Sequence, residues 1–445
     1  MNKSNRVTRR NTLRMGAAAA ALPLVHIRTA GAAGKLSIGL LDHWVPKGNE
    51  IMLKQINAWA DKNKVEVQAD FLTTMGAKLQ ITAAAESMAQ TGHDVLAFLQ
   101  WDIHTYADKL LPIDATMKRM TDKYGPYNDA CRYLGTKNGQ WLGMPSTALT
   151  LPAQARISVM KQLAGIDVQA MYPARPEKTA LADGWTWDAF LKAAEACQKG
   201  GMPFAMGVGS TPDSVNSTSQ IFAAYGAELV DAKGNIQVKS AAMRQALEYC
   251  ERLVKFLPDD AASYDDSSNN KAIISGKTAL IFNPPSSWAV AKRDAREIAA
   301  DCWHLPSPAG PKGRFVPYVA FFWGVWKFSK NAAAGQDLMV YLSEREQVEP
   351  RTTVVEGYDI PPQSSMLDFK VWAEVEPPVG NAFNYPIQPW HGSIPLVSGS
   401  PAPPAIAVQI FNRGTAPGML AKLKAGQSID QVMAWAQNEL EGFTR

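Results

Sequence analysis

A chain of 445 residues, 46% hydrophobic and 19% charged, can bury a large core, which excludes a disordered chain and favours two domains or lobes over one small unit. The formal charge of +4 is unevenly placed. Lys3, Arg6, Arg9, Arg10, Arg14 and Arg28 all lie in the first 32 residues, where there is no acid, so the remainder carries 4 − 6 = −2. A near-neutral remainder without a basic run excludes the electrostatic footprint of a nucleic-acid binder.

Residues 1–32 have the build of a signal peptide: a basic start, a short Ala-rich apolar stretch from Gly16 to Leu22, and the small residues Ala30-Gly31-Ala32 as cleavage site. The stretch is shorter than the roughly 20 apolar residues a membrane span needs. Thr8-Arg9-Arg10-Asn11-Thr12-Leu13-Arg14 resembles the twin-arginine export signal, with Thr12 and Arg14 departing from the usual Phe and Lys; Sec export is the alternative. No Cys stands at the cleavage site, so no lipid anchor is expected. The expectation is a soluble, exported protein of the periplasm.

The rest of the chain opens with an apolar strand over 35–41, followed by the loop Asp42-His43-Trp44. Met52, Ile56, Trp59 and Ala60 recur at helical spacing and predict a helix over 49–63. A strand over 65–71, an Ala-rich helix over 75–90 and a strand over 94–99 follow. This β-α-β-α-β order marks an α/β fold with a parallel sheet. In such sheets ligands bind beyond the carboxyl ends of the strands. Two loops there, Asp42-His43-Trp44 and Gln100-Trp101-Asp102, each set a Trp beside a carboxylate.

Residues 143–149 read as a crossing segment into a second α/β region. That region holds a helix over 187–200 capped by Thr186, a short strand over 203–207, a turn at 231–234 and a helix over 241–256. A buried strand ending at Phe282, a strand over 319–326, a helix through Leu342 and a closing amphipathic helix over 428–443 complete the pattern. The four cysteines, Cys131, Cys197, Cys250 and Cys302, form no CxxC pair, which excludes zinc-ribbon and thioredoxin-like sites; disulfides and free thiols both stay open.

Several segments then resemble the family 1 extracellular solute-binding proteins of ABC importers, the maltose-binding-protein-like, sugar-binding group. Lys109-Leu110-Leu111-Pro112-Ile113-Asp114, Lys137 to Pro145 (KNGQWLGMP), and Ala164-Gly165-Ile166-Asp167 with Trp185 to Phe190 (WTWDAF) carry the likeness. Gly276-Lys277-Thr278-Ala279-Leu280 and Lys424 to Asp430 (KAGQSID) continue it in the family's order. The resemblance implies a two-lobe periplasmic-binding-protein fold, type II-like, with hinge strands between lobes. One lobe would comprise 35–145 plus 323–362, the other 150–318 plus 366–445. It further implies a small-molecule solute, a sugar, as ligand, ABC permease membrane subunits as partners, and a monomer. After Pro145 the chain departs from the family: Leu151-Pro152-Ala153-Gln154 replaces its aromatic pair, and residues 170–182 are an insertion.

A sugar offers C–H faces to aromatic rings and hydroxyls to Asp, Asn, Glu or Arg. Trp44, Trp101 and Trp288 are therefore the candidate stacking platforms. Trp288 follows Asn283-Pro284-Pro285, where the family often supplies such a ring. Asp42 and Asp102 are candidate hydroxyl acceptors, with helix capping as their bland alternative, and His43 lies between Asp42 and Trp44. Trp323, near the returning hinge, and Tyr358, Asp359, Tyr385 and Trp390, in connecting loops, are further ligand candidates. No HExxH, GxSxG, P-loop or GxGxxG occurs and the histidines are scattered, so no catalytic residue, cofactor or metal is expected. The alternatives are an exported carbohydrate-active enzyme with paired carboxylates such as Asp42 and Asp102, or a binder of a non-sugar solute such as a polyamine.

Overall fold

The strand Lys35–Leu41 (β1) is buried from Leu36 to Leu40 without a break, as befits a strand covered on both faces. The computed structural model describes residues 35–175, 179–265, 267–384 and 392–444, so the signal-peptide reading lies outside it. Helix Lys47–Asn63 (α1) buries Gln55, Ile56 and Trp59, one face of a 3.6-residue period. Strand Glu66–Leu72 (β2), helix Lys78–Ala89 (α2) and strand Val95–Leu99 (β3) follow. Both β2 and β3 pair parallel with β1, in registers Lys35↔Glu66 and Ile38↔Val95. The parallel sheet expected from the β-α-β-α-β order is therefore present.

Strand Met144–Thr150 (β4) leaves this sheet and leads directly into Ala153–Arg156 (β5) of a second one. Helix Trp187–Lys199 (α3) starts where Thr186 Oγ1 accepts from the Ala189 amide at 3.2 Å, a cap that contributes about 1 kcal/mol. Helices Pro212–Tyr225 (α4) and Ala241–Leu253 (α5) follow. Strand Leu280–Phe282 (β6), helix Ser286–Asp294 (α6) and strand Cys302–Leu305 (β7) complete the second sheet, where β5 lies antiparallel between β6 and β7.

The 13-residue strand Gly313–Val325 (β8) returns to the first sheet. It pairs antiparallel with β3 from Phe321↔Leu99 to Val325↔Val95, and with β4 from Tyr318↔Thr150 to Trp323↔Met144. Helices Ala332–Ser343 (α7) and Arg345–Val354 (α8) pack on α1. A third crossing bridges Ala148 to Ile360. Strand Ser393–Leu396 (β9) pairs with the first half of β8. Helices Pro404–Arg413 (α9), Thr415–Lys424 (α10) and Ile429–Thr444 (α11) form a cluster in which α10 packs against α4 and α5. The architecture is a two-lobe α/β fold with hinge strands between the lobes.

One expectation changes. Residues 203–207 form no strand: Ala205 donates to Leu280 O at 2.9 Å, and no ladder continues from there. Of the two states left open for the cysteines, all four are buried free thiols. Burial pushes the Cys197 thiol up to about 11 and those of Cys131 and Cys302 to about 12, against their hydrogen bonds where these exist. Among the described residues no helix is long and apolar enough to cross a membrane.

Candidate functional site

Side chains of β4 and β8 alternate across the crossing pair, so Val319 and Phe321 share one face with Leu149 opposite Val319, and Leu151, just past β4, packs with them. They floor a cleft of about 1080 Å³ including its open mouth. The first wall comes from the carboxyl ends of the parallel strands: Leu41 at the end of β1 and Trp44 after it, Thr74 and Gln80 after β2, and Leu99 at the end of β3 with Gln100 to Asp102 after it. The second wall begins at α4. Thr211 Oγ1 accepts from the Ser214 amide at 3.2 Å and Pro212 occupies the first helical turn, where its missing N–H costs nothing. Asp213 and Asn216, three residues apart, therefore lie on one face and line the cleft with Asn283, Pro284 and Ser286. Phe411 and Asn412, at the end of α9, complete the lining, and Tyr358 reaches it from the third crossing.

Among the described residues the lining contains two carboxylates, Asp102 and Asp213, several carboxamides and hydroxyls, and no Lys, Arg or His. Asp102 Oδ2 accepts from the Leu99 amide at 3.0 Å; burial nevertheless outweighs that bond and pushes its pKa up to about 6. On the second wall Asn269 Nδ2 donates to Asp213 Oδ2 at 2.9 Å and to Asn283 Oδ1 at 2.7 Å, and Asn283 Nδ2 donates to Ser286 Oγ at 3.1 Å. Asn216 Oδ1 accepts from Ser398 Oγ at 2.6 Å. On the first wall, by contrast, Gln80 Oε1 and Gln100 Nε2 are buried without a partner among the described residues. Burial raises the Tyr358 phenol well above its ordinary range, and a hydrogen bond with Ser286 works against it.

A smaller chamber, about 860 Å³ by the same measure, adjoins the cleft behind Trp44 and Tyr358. There His43 Nε2 lies 3.3 Å from Asp359 Oδ2, and the His43 ring meets Tyr358 edge-on at 5.1 Å. Burial alone would lower the His43 pKa; Asp359, helped by Val45 and Asp42, outweighs it and the net direction is upward. Arg351 in the same chamber is lowered to about 10 by burial, against the pull of Asp359.

The structure brings Trp44, Trp101, Asp102 and Tyr358 together in the cleft. His43, Trp323 and Asp359 line the chamber instead. Trp288 is a correction: it is 1% exposed, lines neither cavity, and donates from Nε1 to Pro377 O at 2.8 Å. It lies on α6 two residues after Ser286, about 200° around the helix, so when Ser286 faces the cleft Trp288 faces the core. Asp42 is a second correction. It is exposed, outside both cavities, and accepts from the Asn49 side-chain Nδ2 at 2.7 Å; it does not cap α1 either, whose N-cap position is Pro46 and carries no side-chain cap. Tyr385 and Trp390 lie outside the described residues. Sequence reasoning missed Gln80, Asp213, Asn216 and Asn283. The Thr211-Pro212 helix start was a usable signal for the position of α4, though not for what it faces. Among the described residues no group of three or more His, Cys, Asp or Glu is placed to hold a metal.

The family model for bacterial extracellular solute-binding proteins matches residues 52–377. No curated protein matches the chain in sequence. Among solved structures, maltose-bound MalE3 of T. maritima aligns with a TM-score of 0.70 and 16% identity over 92% of this chain and 99% of that one. An ABC transporter solute-binding protein from Thermotoga lettingae, bound with α-D-tagatose, aligns with a TM-score of 0.73 and 16% identity over 93% and 100%. A chitin oligosaccharide binding protein gives 0.71 and 16% over 93% and 100%.

Proposed function

Because the chain belongs to the bacterial extracellular solute-binding protein family, we propose that it captures a neutral polyhydroxylated solute, a carbohydrate, in its interlobe cleft and delivers it to the membrane subunits of an ABC importer. One observation carries this reading. Aromatic rings, carboxylates and carboxamides converge on one cavity from both lobes, and among the described residues no cationic side chain lines it. Rings match the C–H faces of a sugar, and carboxylates and amides match its hydroxyls. An anionic solute would meet two carboxylates and no counter-charge. The fold neighbours named for maltose, tagatose and chitin oligosaccharide support a saccharide.

In this reading residues 35–145 with 323–362 form one lobe and 150–318 with 366–445 the other. Rotation about β4 and β8 opens and closes the cleft. The protein is a monomer, exported to the periplasm by a twin-arginine-type signal over residues 1–32, and it performs no chemistry. Asp42 stands outside the cleft and cannot pair with Asp102 there.

The test is mass spectrometry of solute released by denaturing the purified protein, followed by calorimetric titration with that solute. One equivalent of a neutral saccharide or polyol, recovered unchanged after incubation, is the expected result. A charged metabolite, or a sugar returned hydrolysed, contradicts it. A polyamine is the second reading, favoured by the two carboxylates and the absent bases.

A further inference from the structure

We propose that His43 is the positioning residue of the cleft: by clamping its loop to Asp359 of the third crossing, it holds Trp44 in place to stack on the solute. The inference rests on the solute-binding reading above and deepens it.

Trp44 lines the cleft from the loop between β1 and α1. It packs, with Val45, on a small apolar cluster that includes Leu149, Leu151, Val319 and Tyr358 and is separate from the main core. A half-buried ring at the edge of so small a cluster presents a defined face only if its backbone is fixed as well. His43 fixes it. Its Nδ1 accepts from the Val45 amide at 2.8 Å and so spans Trp44 with the i to i+2 bond that an Asn side chain makes in an Asx-turn. Val45 O lies 3.0 Å from the same nitrogen, so a proton on Nδ1 also stays tied to the loop. The His43 amide donates to Asn49 Oδ1 at 2.9 Å. The seat fits this ring closely: a Cβ at Gly48, in the first turn of α1, would lie 2.7 Å from His43 Cγ.

The other end of the clamp is fixed independently. With Nδ1 accepting, the neutral ring carries its proton on Nε2, which lies 3.3 Å from Asp359 Oδ2. Ile360, the next residue, exchanges both backbone bonds with Ala148 of β4, at 2.8 and 3.0 Å, and so holds Asp359 and Tyr358 on the crossing without help from His43. Residues 43–46 belong to no strand and have no such ladder. The side chains of His43 and Asp359 are 13% and 18% exposed, so solvent screens their attraction weakly. Neither lines the cleft, and both therefore act through Trp44. The other charged groups around His43 are Asp42 in its own loop and Arg351 on α8, which shares the chamber and attracts Asp359; α1 adds Gly48, Asn49 and Met52 to that chamber, and no charge.

The experiment titrates wild type, H43N, D359N, W44A and the double variant H43N/W44A with maltose, D-tagatose, D-mannitol and the solute recovered from the purified protein. Asn at position 43 can still accept from the Val45 amide but is too short for Asp359, so Kd for the neutral solute that wild type binds should rise about 3- to 10-fold in H43N. In the W44A background the same substitution should move Kd by less than about twofold, because the ring it positions is gone; a general structural role would add its effect in both backgrounds. Burial lowers the His43 pKa and Asp359 more than restores it, so the charged ring that faces Asp359 is lost only above pH 6.5. Wild-type Kd should therefore rise as pH climbs above 6.5, the direction opposite to that of a carboxylate in the cleft, and D359N should lose this rise. A Kd in H43N within about twofold of wild type, or an equal loss with and without Trp44, overturns the inference and leaves the solute reading intact. So does a Kd that stays flat above pH 6.5 in wild type or rises equally in D359N. A charged recovered solute, with none of the three neutral probes bound, overturns the reading and the inference together. Should H43N not fold, D359N, which keeps the shape of Asp359, carries the test: its Kd should exceed that of wild type at pH 6.5 and meet it at higher pH.

Discussion

The two walls of the cleft differ in what they offer a solute. The second wall is bonded before any solute arrives: Asn269 holds both Asp213 and Asn283, Asn283 holds Ser286, and Ser398 holds Asn216. The first wall supplies rings, Trp44 and Trp101. A pre-bonded wall loses little conformational freedom on binding, whereas rings gain by covering apolar C–H faces.

The largest expected effects separate two tryptophans that look alike in sequence. Trp288→Ala should cost about 3–5 kcal/mol of stability, because a large ring leaves a packed core, while Kd in the surviving folded protein stays within a few-fold of wild type. Trp101→Ala should cost comparable stability, since the ring is 2% exposed and bonded to Ser398 O at 3.1 Å, and should also weaken binding by about 1–3 kcal/mol. Thermal melting and calorimetric titration of both variants decide the matter. Equal loss of affinity in the two would place Trp288 in the cleft after all.

Asn269→Ala probes the pre-bonded wall. It removes the donor shared by Asp213 and Asn283 and should cost about 1–3 kcal/mol in stability, with a parallel loss of affinity as the two acceptors lose their fixed orientation. Unchanged affinity in a destabilised protein would mean that the second wall does not touch solute. Trp44→Ala is the counterpart on the first wall. Trp44 is only half-buried, so affinity should fall by about 1–2 kcal/mol while melting moves little. A Trp44→Ala protein that melts far lower yet binds normally would move that ring from the cleft to the hinge core.

These variants also mark where the sequence was legible. Trp44, Trp101 and Asp102 could be placed because a β-α-β-α-β order fixes which loops lie at the carboxyl ends of parallel strands. Asp42 belongs to the same loop, but whether its carboxylate faces solute or Asn49 depends on a side-chain direction that no pattern encodes. Trp288 was misplaced because the segment after β6 turns helical at Ser286, and two helical residues reverse a side chain where two strand residues would not. The second wall was invisible for another reason. Asp213, Asn269 and Asn283 come from three segments and acquire meaning only through tertiary contact. The fold itself was readable in strand order. The extra length of β8 before Val319 was not, since those residues are stabilised by β9, far along the chain.

The smallest effect tests the first wall through its carboxylate. Burial raises the Asp102 pKa from 3.8 in the unfolded chain to about 6, so the folded protein holds this proton more tightly. The stability it contributes is therefore fully present below pH 3.8 and is lost as pH rises toward about 6 and through it. Solute binding should run the other way. An ionised Asp102 accepts a stronger hydrogen bond from a hydroxyl than a protonated one, so affinity should increase through pH 6, by less than about tenfold. His43 lies behind the wall, and its own titration is superimposed on any measurement. Asp102→Asn removes one contribution and keeps the other: the difference between the wild-type and variant profiles of Kd against pH should rise near pH 6. A flat difference there would mean that Asp102 faces the cleft without touching solute, and the first wall would meet solute through its rings.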